Sequence, residues 1–382
     1  MMRATTILSS ALALLLGLGA AQAELGPEKL TINPLKPATP HRIYLTDLVL
    51  GHVIDGRVHV IDGDSFDYLG LIPTGLFGLT ALSNDSSEMY VATTYYTKRN
   101  RGDRFDLFEV YDTATLELEA EVEIPAKHAQ ALPYKGTLTS TSDGRFVLIQ
   151  NSTPASSISV VDRPAEKFVT EIDTPGCWIM LPSASNARRF STLCGDGTIL
   201  TITLDETGKA ASQQRSGKLF DAEKDPLFVQ AESIGDTYYF VSYEGMIHEI
   251  NLGGETAVTE ATWSLLDAAD RDGHWKPGSY QLLALDAKAG RLYVGMHDDA
   301  RDGSHKFPAK ELWAFDINTN KRVQRIEGSN SIAMALSDED QPYLYVYDGM
   351  TTEFVKYETL PALKPVARSG PFGEFAGLVE LH

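Results

Sequence analysis

Arg57-Val58-His59-Val60-Ile61-Asp62 reads as a short apolar strand that ends on an acid and runs into a turn. The same punctuation recurs at Val110-Tyr111-Asp112, Val160-Val161-Asp162, Thr203-Leu204-Asp205, Glu249-Ile250-Asn251, Ala314-Phe315-Asp316 and Lys356-Tyr357-Glu358. An Asp or Asn side chain at such a strand end can accept hydrogen bonds from the backbone of the turn that follows. Successive anchors stand 42 to 65 residues apart, the period of a four-stranded propeller blade. A second turn, as in Ser142-Asp143-Gly144 and Ala289-Gly290-Arg291, precedes an aromatic-rich strand in most units. Helical spacing is confined to one short stretch around Ser264–Asp270. The expected fold is therefore all-β, a seven-bladed β-propeller over residues 42–382. The first unit, Ile43–Leu71, is one strand short, and Phe375–Leu381 is a strand with no other place to pair. Joining the two would close the ring and remove its exposed edges.

Working outward, residues 24–41 carry four prolines and no apolar periodicity, and read as an extended N-terminal arm. Before them, Arg3, the apolar run Ile7–Gly19 and the small-residue site Ala21-Gln22-Ala23 have the form of a secretory signal peptide spanning residues 1–23. That run is too short and too poorly flanked to span a membrane. The expected address is the periplasm. Removing the signal takes away Arg3 and no acid, leaving the chain one unit more negative than its formal −19. Such a surface repels phosphate backbones and anionic lipid, which excludes nucleic acid and the membrane as partners.

The chain has two cysteines, Cys177 and Cys194, on two short strands joined by a turn. In an oxidising compartment this hairpin suits a cross-strand disulfide if the Cβ atoms approach within about 4.5 Å. Such a bond would remove roughly 3 kcal/mol of unfolded-state freedom by the chain-entropy model. Two buried free thiols are the alternative. Either way the pair is structural.

Catalytic signatures are sparse. The chain has no Gly-x-Ser-x-Gly elbow, Walker loop or His-Glu-x-x-His helix. His297-Asp298-Asp299-Ala300-Arg301-Asp302-Gly303-Ser304-His305 offers oxygen and imidazole groups at close spacing, but Arg301 sits in its middle and a solvated loop is the better reading. Trp275, in His274-Trp275-Lys276-Pro277, reads as the anchor of a second inserted loop. No metal or cofactor ligand is assigned to this chain.

Several segments, in register along the mature chain, resemble the heavy subunit of the periplasmic quinoprotein amine dehydrogenases. They include Thr93-Thr94-Tyr95-Tyr96 after Ser83-Asn84-Asp85, Phe108–Asp112, and Gly176-Cys177-Trp178 with Cys194-Gly195-Asp196-Gly197. Others are Gln150–Ala155 and His305-Lys306-Phe307-Pro308 with Glu311-Leu312-Trp313. The segments look closer to the aromatic amine dehydrogenase type than to the methylamine type. The resemblance implies a seven-bladed propeller without its own cofactor or catalytic residue. It further implies a small, disulfide-rich light subunit carrying tryptophan tryptophylquinone, and a complex of two heavy and two light chains. Primary amines would be oxidised to aldehyde and ammonia, with electrons leaving to a blue copper protein. The family's heavy chain also lends a Phe to the substrate channel, in the loop after the first blade. The matching stretch here is Pro73-Thr74-Gly75-Leu76-Phe77-Gly78, where Leu76 stands in the Phe position and Phe77 follows. Leu76 and Phe77 are thus the candidate channel residues, unless both simply fill the junction between blades. The competing function class is a free-standing periplasmic propeller that binds a partner with no quinone subunit.

Overall fold

Whether the strand-end acids anchor turns is answered directly by a computed structural model, which describes residue 31 and residues 33–382. Asp62 Oδ1 accepts from the backbone N–H of Asp64 and Ser65 at 2.9 and 3.0 Å. Asp112 does the same for Ala114 and Thr115, Asp205 for Thr207 and Lys209, and Asp316 for Asn318 and Thr319. Asp162 and Asn251 each hold one such N–H. The seventh position differs. Glu358 is exposed, and the turn is held instead by the Thr359 hydroxyl donating to the Pro342 carbonyl. The longer Glu side chain has a poorer reach to its own turn than Asp or Asn.

These turns join antiparallel strands into an all-β chain. Three sheets have four strands each: Leu138–Ser140 to Lys167–Asp173, Cys177–Pro182 to Ala210–Arg215, and Leu227–Ile234 to Val258–Ser264. The other two are larger because one long strand serves two consecutive groups of four. Residues 68–75 of Tyr68–Leu82 pair back to Gly56–Asp62, and residues 76–82 pair forward to Glu88–Tyr96. Lys321–Leu336 spans Ala309–Asp316 and Tyr343–Asp348 in the same manner. The last strand, Ala376–Leu381, pairs antiparallel with Arg42–Asp47, Ile43 facing Leu381 and Leu45 facing Val379.

Apolar side chains fill the spaces between successive groups of four strands, for example Val91 and Met89 against Tyr44 and Val58. Glutamine amides bridge neighbouring sheets at three points, where the backbone would otherwise be buried unpaired. Gln281 Nε2 donates to the Val379 carbonyl at 2.9 Å and its Oε1 accepts the Val379 N–H at 2.8 Å. Gln230 holds Leu283 through the same two bonds, and Gln150 Oε1 accepts from Ile179 N.

Cys177 faces Cys194 across the hairpin and the two are disulfide-bonded. Both are buried. Thiol titration of the denatured, unreduced protein should therefore find none; two thiols per chain would contradict the bond.

The helical stretch is displaced relative to the sequence reading, occupying Ala268–Asp272 rather than 264–270. Asp267 caps it, its side chain accepting from Asp270 N while Asp270 accepts from Asp267 N, a reciprocal pair that fixes the start. The signal peptide and residues 24–30 and 32 of the N-terminal arm lie outside the described residues. No helix among the described residues is long and apolar enough to cross a membrane.

Candidate functional site on the face of Leu76 and Phe77

Pro73–Gly78 is not a loop: it lies inside the continuous strand Tyr68–Leu82. Its turn-like residues serve a different purpose. Gly75 has φ +58° and Phe77 φ +51°, and the pairing with Glu88–Tyr96 shifts between Leu76 and Leu79. This is a bulge that bends the strand out of one sheet into the next. Gly75 is needed there because a Cβ would come within 2.6 Å of Thr93 Oγ1. Leu76 pairs with Thr94, and both Leu76 and Phe77 are half-buried.

A left-handed aromatic residue is strained unless its surroundings hold it, and the Phe77 backbone is held by a buried polar network. His128 Nε2 donates to the Phe77 carbonyl at 3.1 Å. His128 Nδ1 lies 3.1 Å from Asp106 Oδ2, and the His128 N–H donates to the same oxygen at 3.0 Å. Arg104 clamps Asp106 with two parallel bonds, Nε to Oδ1 at 2.8 Å and Nη2 to Oδ2 at 2.7 Å. The Thr94 hydroxyl completes it, donating to Asp106 Oδ1 at 2.7 Å. Asp106 and the His128 side chain have no exposed surface. Burial alone would raise the Asp106 pKa, but the bonds from His128, Arg104 and Thr94 outweigh it and hold the carboxyl well below the usual range. It is a fixed anion, unsuited to proton transfer near neutrality.

From His128 the chain runs on to Leu132 and Pro133, which line a small apolar cavity with Leu48, Tyr280, Ile332 and Phe375. Next to it Tyr134, Phe228, Tyr243, Tyr280 and His305 surround a space of about 250 Å³. Tyr243 stacks on His305 at 4.7 Å and packs against Phe228 at 4.6 Å. Burial, with Tyr280 and Tyr243 nearby, pushes the Tyr134 phenol up to about 12, so it stays neutral. The larger space is thus rich in aromatic rings, with Gln230, Ser279 and Lys306 among them, while the Asp106 anion is locked beside the Phe77 backbone. Its rings can shape a pocket and exclude water, and His305, whose pKa burial lowers, lines the same space with Lys306.

The remaining sequence candidates sit elsewhere or are spoken for. Asp298 pairs with Lys310 and Asp299 with Arg301. His297 is buried, which lowers its pKa, and its ring packs on Phe307. Among the described residues no group of three or more His, Cys, Asp or Glu side chains is placed to hold a metal ion. Trp275 does anchor its loop, its ring 5.3 Å from Trp313 and under the Arg325 guanidinium. Asp270, on the short helix, ties that loop to Arg322 and Arg325 at 2.6 and 3.2 Å. Sequence reading missed Arg104, Asp106 and His128 altogether. The one signal for Arg104 and Asp106 is their opposite charge two residues apart in the strand Arg104–Asp112; His128 lies outside that strand and has none.

A family model described as methylamine dehydrogenase heavy chain (MADH) matches residues 39–360. The methylamine dehydrogenase heavy chain of Methylophilus methylotrophus is 28% identical over 313 residues, 80% of this chain and 74% of that one. The corresponding protein of Methylobacillus flagellatus is 26% identical over 321 residues, 83% and 79% of the two chains. Among solved structures, the β-propeller domain of Myceliophteria thermophila Cps50 (Swd1) is similar with a TM-score of 0.56 at 9% identity, covering 86% of this chain and 100% of that one. Kuenenia stuttgartiensis hydrazine synthase is similar at 0.57 and 12% identity, covering 88% and 99%. At such identities the two structures speak for the fold alone, which is propeller-like. The chain belongs to the methylamine dehydrogenase heavy chain family.

Proposed function

We propose that this chain is the heavy subunit of a periplasmic amine dehydrogenase that oxidises a primary, arylalkyl amine to aldehyde and ammonia. In this reading residues 1–23 are removed on export, and the groups of four strands form a ring of seven blades closed by Ala376–Leu381. A small, disulfide-rich light subunit carries tryptophan tryptophylquinone, two heavy and two light chains assemble, and a blue copper protein takes the electrons. When bound, the quinone supplies the electron-accepting chemistry. The heavy chain contributes shape: Leu76 and Phe77 orient the apolar body of the amine and keep water from the reacting carbon.

The observation that carries this reading is the half-buried Leu76–Phe77 pair, with the Phe77 carbonyl held by the His128–Asp106–Arg104 network, in a chain of this family. A residue that only filled a junction between sheets would need no such support. The preference for an aromatic amine rests on Leu76, which is shorter than Phe and leaves more room.

Two measurements test the proposal. The isolated chain should be colourless and inactive toward amines, and should regain activity with its light subunit; quinone absorbance retained by the isolated chain would overturn the placing of the cofactor in a light subunit, and the lack of any light subunit to reconstitute with would favour a free-standing binding propeller. In the reconstituted complex, Leu76→Phe should shift relative kcat/KM among benzylamine, phenylethylamine and short alkylamines by roughly 1–3 kcal/mol, with the pH profile unchanged. Leu76→Ala and Phe77→Ala should shift it in the opposite sense for bulky amines. An equal factor on every substrate would remove both residues from the channel.

A further inference from the structure

The strands that begin near Phe77 and Phe228 end at a different opening. There a cavity of about 370 Å³ is lined by Leu82, Glu232, Asp286, Leu336 and Glu380, one from each of five strands, together with Lys135. Its charges do not balance. Lys135 is occupied by both oxygens of Glu232, at 2.9 and 2.8 Å. Lys288 is drawn away by Asp338 and Asp340, and Glu339 is bonded to His41. Two carboxylates are left over. Glu380 Oε1 accepts only a long bond from Leu82 N, 3.3 Å, and Oε2 is buried without a partner. Asp286, 4% exposed, accepts from Ala289 N through Oδ1, while its Oδ2 is buried and unpartnered.

A buried acceptor without a donor is costly, and a cavity that joins two of them to apolar walls is complementary to a cation with an apolar body. The walls are Leu82, Ala284, Leu336, Pro342 and Leu381. We propose that this cavity binds a small organic ammonium ion, the –NH3+ donating to Glu380 within the negative potential of Asp286 and the alkyl chain lying against Leu82, Leu336 and Leu381. Burial pushes the Glu380 carboxyl up to about 7, the Leu82 N–H and Lys135 offsetting only part of that rise; an ammonium would supply the missing counter-charge. A bare alkali ion satisfies the carboxylate but not the walls, so the organic cation is the better fit. The site is independent of the Leu76–Phe77 face and needs no light subunit.

The test is calorimetric titration of n-propylammonium chloride into the full isolated heavy chain, with potassium chloride as the control for charge. Saturable binding of one propylammonium per chain is expected, with potassium at least tenfold weaker. Glu380→Gln, nearly the same size, should weaken binding at least tenfold, and Asp286→Asn severalfold. Being on another strand, Asp286→Asn carries the test alone should Glu380→Gln fail to fold. Absence of saturable binding overturns the proposal, as do equal heats for potassium and propylammonium, or both variants binding as the native protein does.

Discussion

Replacing Asp106 with Asn should destabilise the chain by about 3–5 kcal/mol, the range for removing one partner of a buried ion pair. Asp106 is fully buried and accepts from Arg104, from Thr94 and from the His128 backbone. An amide can replace at most one of its oxygens and would turn a donor toward another donor. The guanidinium of Arg104 is then left half-desolvated and unpaired. Urea denaturation should show a lower midpoint at nearly the same slope. Removing both charges, as Arg104→Met with Asp106→Leu, should cost less than Asp106→Asn alone, because no charge is stranded. The single variant should also release His128 and with it the Phe77 carbonyl, so the amine preference of the reconstituted complex should broaden. The pH sign is fixed by the lowered pKa. Asp106 contributes stability above its unfolded value of 3.8, and that contribution is lost as pH falls through the lower folded value. A loss below 1 kcal/mol in Asp106→Asn would show that the network is incidental.

Glu380→Gln should act in the other direction, raising stability above pH 7. The folded-state pKa of Glu380 is raised from 4.5 to about 7. A carboxyl raised in this way favours the fold below pH 4.5 and loses that contribution as pH climbs through about 7. At ~1.4 kcal/mol per pH unit, the span is worth about 3 kcal/mol. The groups facing Glu380 are Lys135, which lowers its pKa, and Glu232, Asp286 and His382 across the cavity. Glu232 already takes up Lys135, so the lysine gives Glu380 little relief. Denaturation curves of the native chain and Glu380→Gln at pH 5 and pH 8 should therefore nearly coincide at the lower pH and separate at the higher. Parallel behaviour at both would mean that Glu380 is already charged and solvated in the fold.

What could be read from the residues follows the range of the interactions involved. Strand-end acids act over two to four residues, so Asp62, Asp112 and Asp205 announced their turns, and Cys177 and Cys194 announced their hairpin. Glu358 broke the pattern because reach, not charge, sets the bond. Pro73, Gly75 and Gly78 looked like a loop, since the residues that end a strand are also those that bend one; only the neighbouring strands show which. The same ambiguity hid the continuity of Lys321–Leu336, with Gly328-Ser329-Asn330 in its middle and φ +48° and +47° at Ser329 and Asn330. His128 left no local trace, because it meets Asp106 across 22 residues and Phe77 across 51. No spacing rule reaches so far.

The pairing of Arg42–Asp47 with Ala376–Leu381 also bears on how the molecule is made. Arg42–Asp47 has one neighbour, Gly56–Asp62, close by in sequence, but its other edge waits for Ala376–Leu381. Gln281, too, has nothing to grip until Val379 arrives. Closing a loop of that length is slow, and an open strand edge in the meantime invites pairing with another chain. A product truncated before Ala376 would keep every strand-end turn and the disulfide hairpin, yet carry a permanent sticky edge. The two strands thus guard each other's edges although more than 300 residues part them.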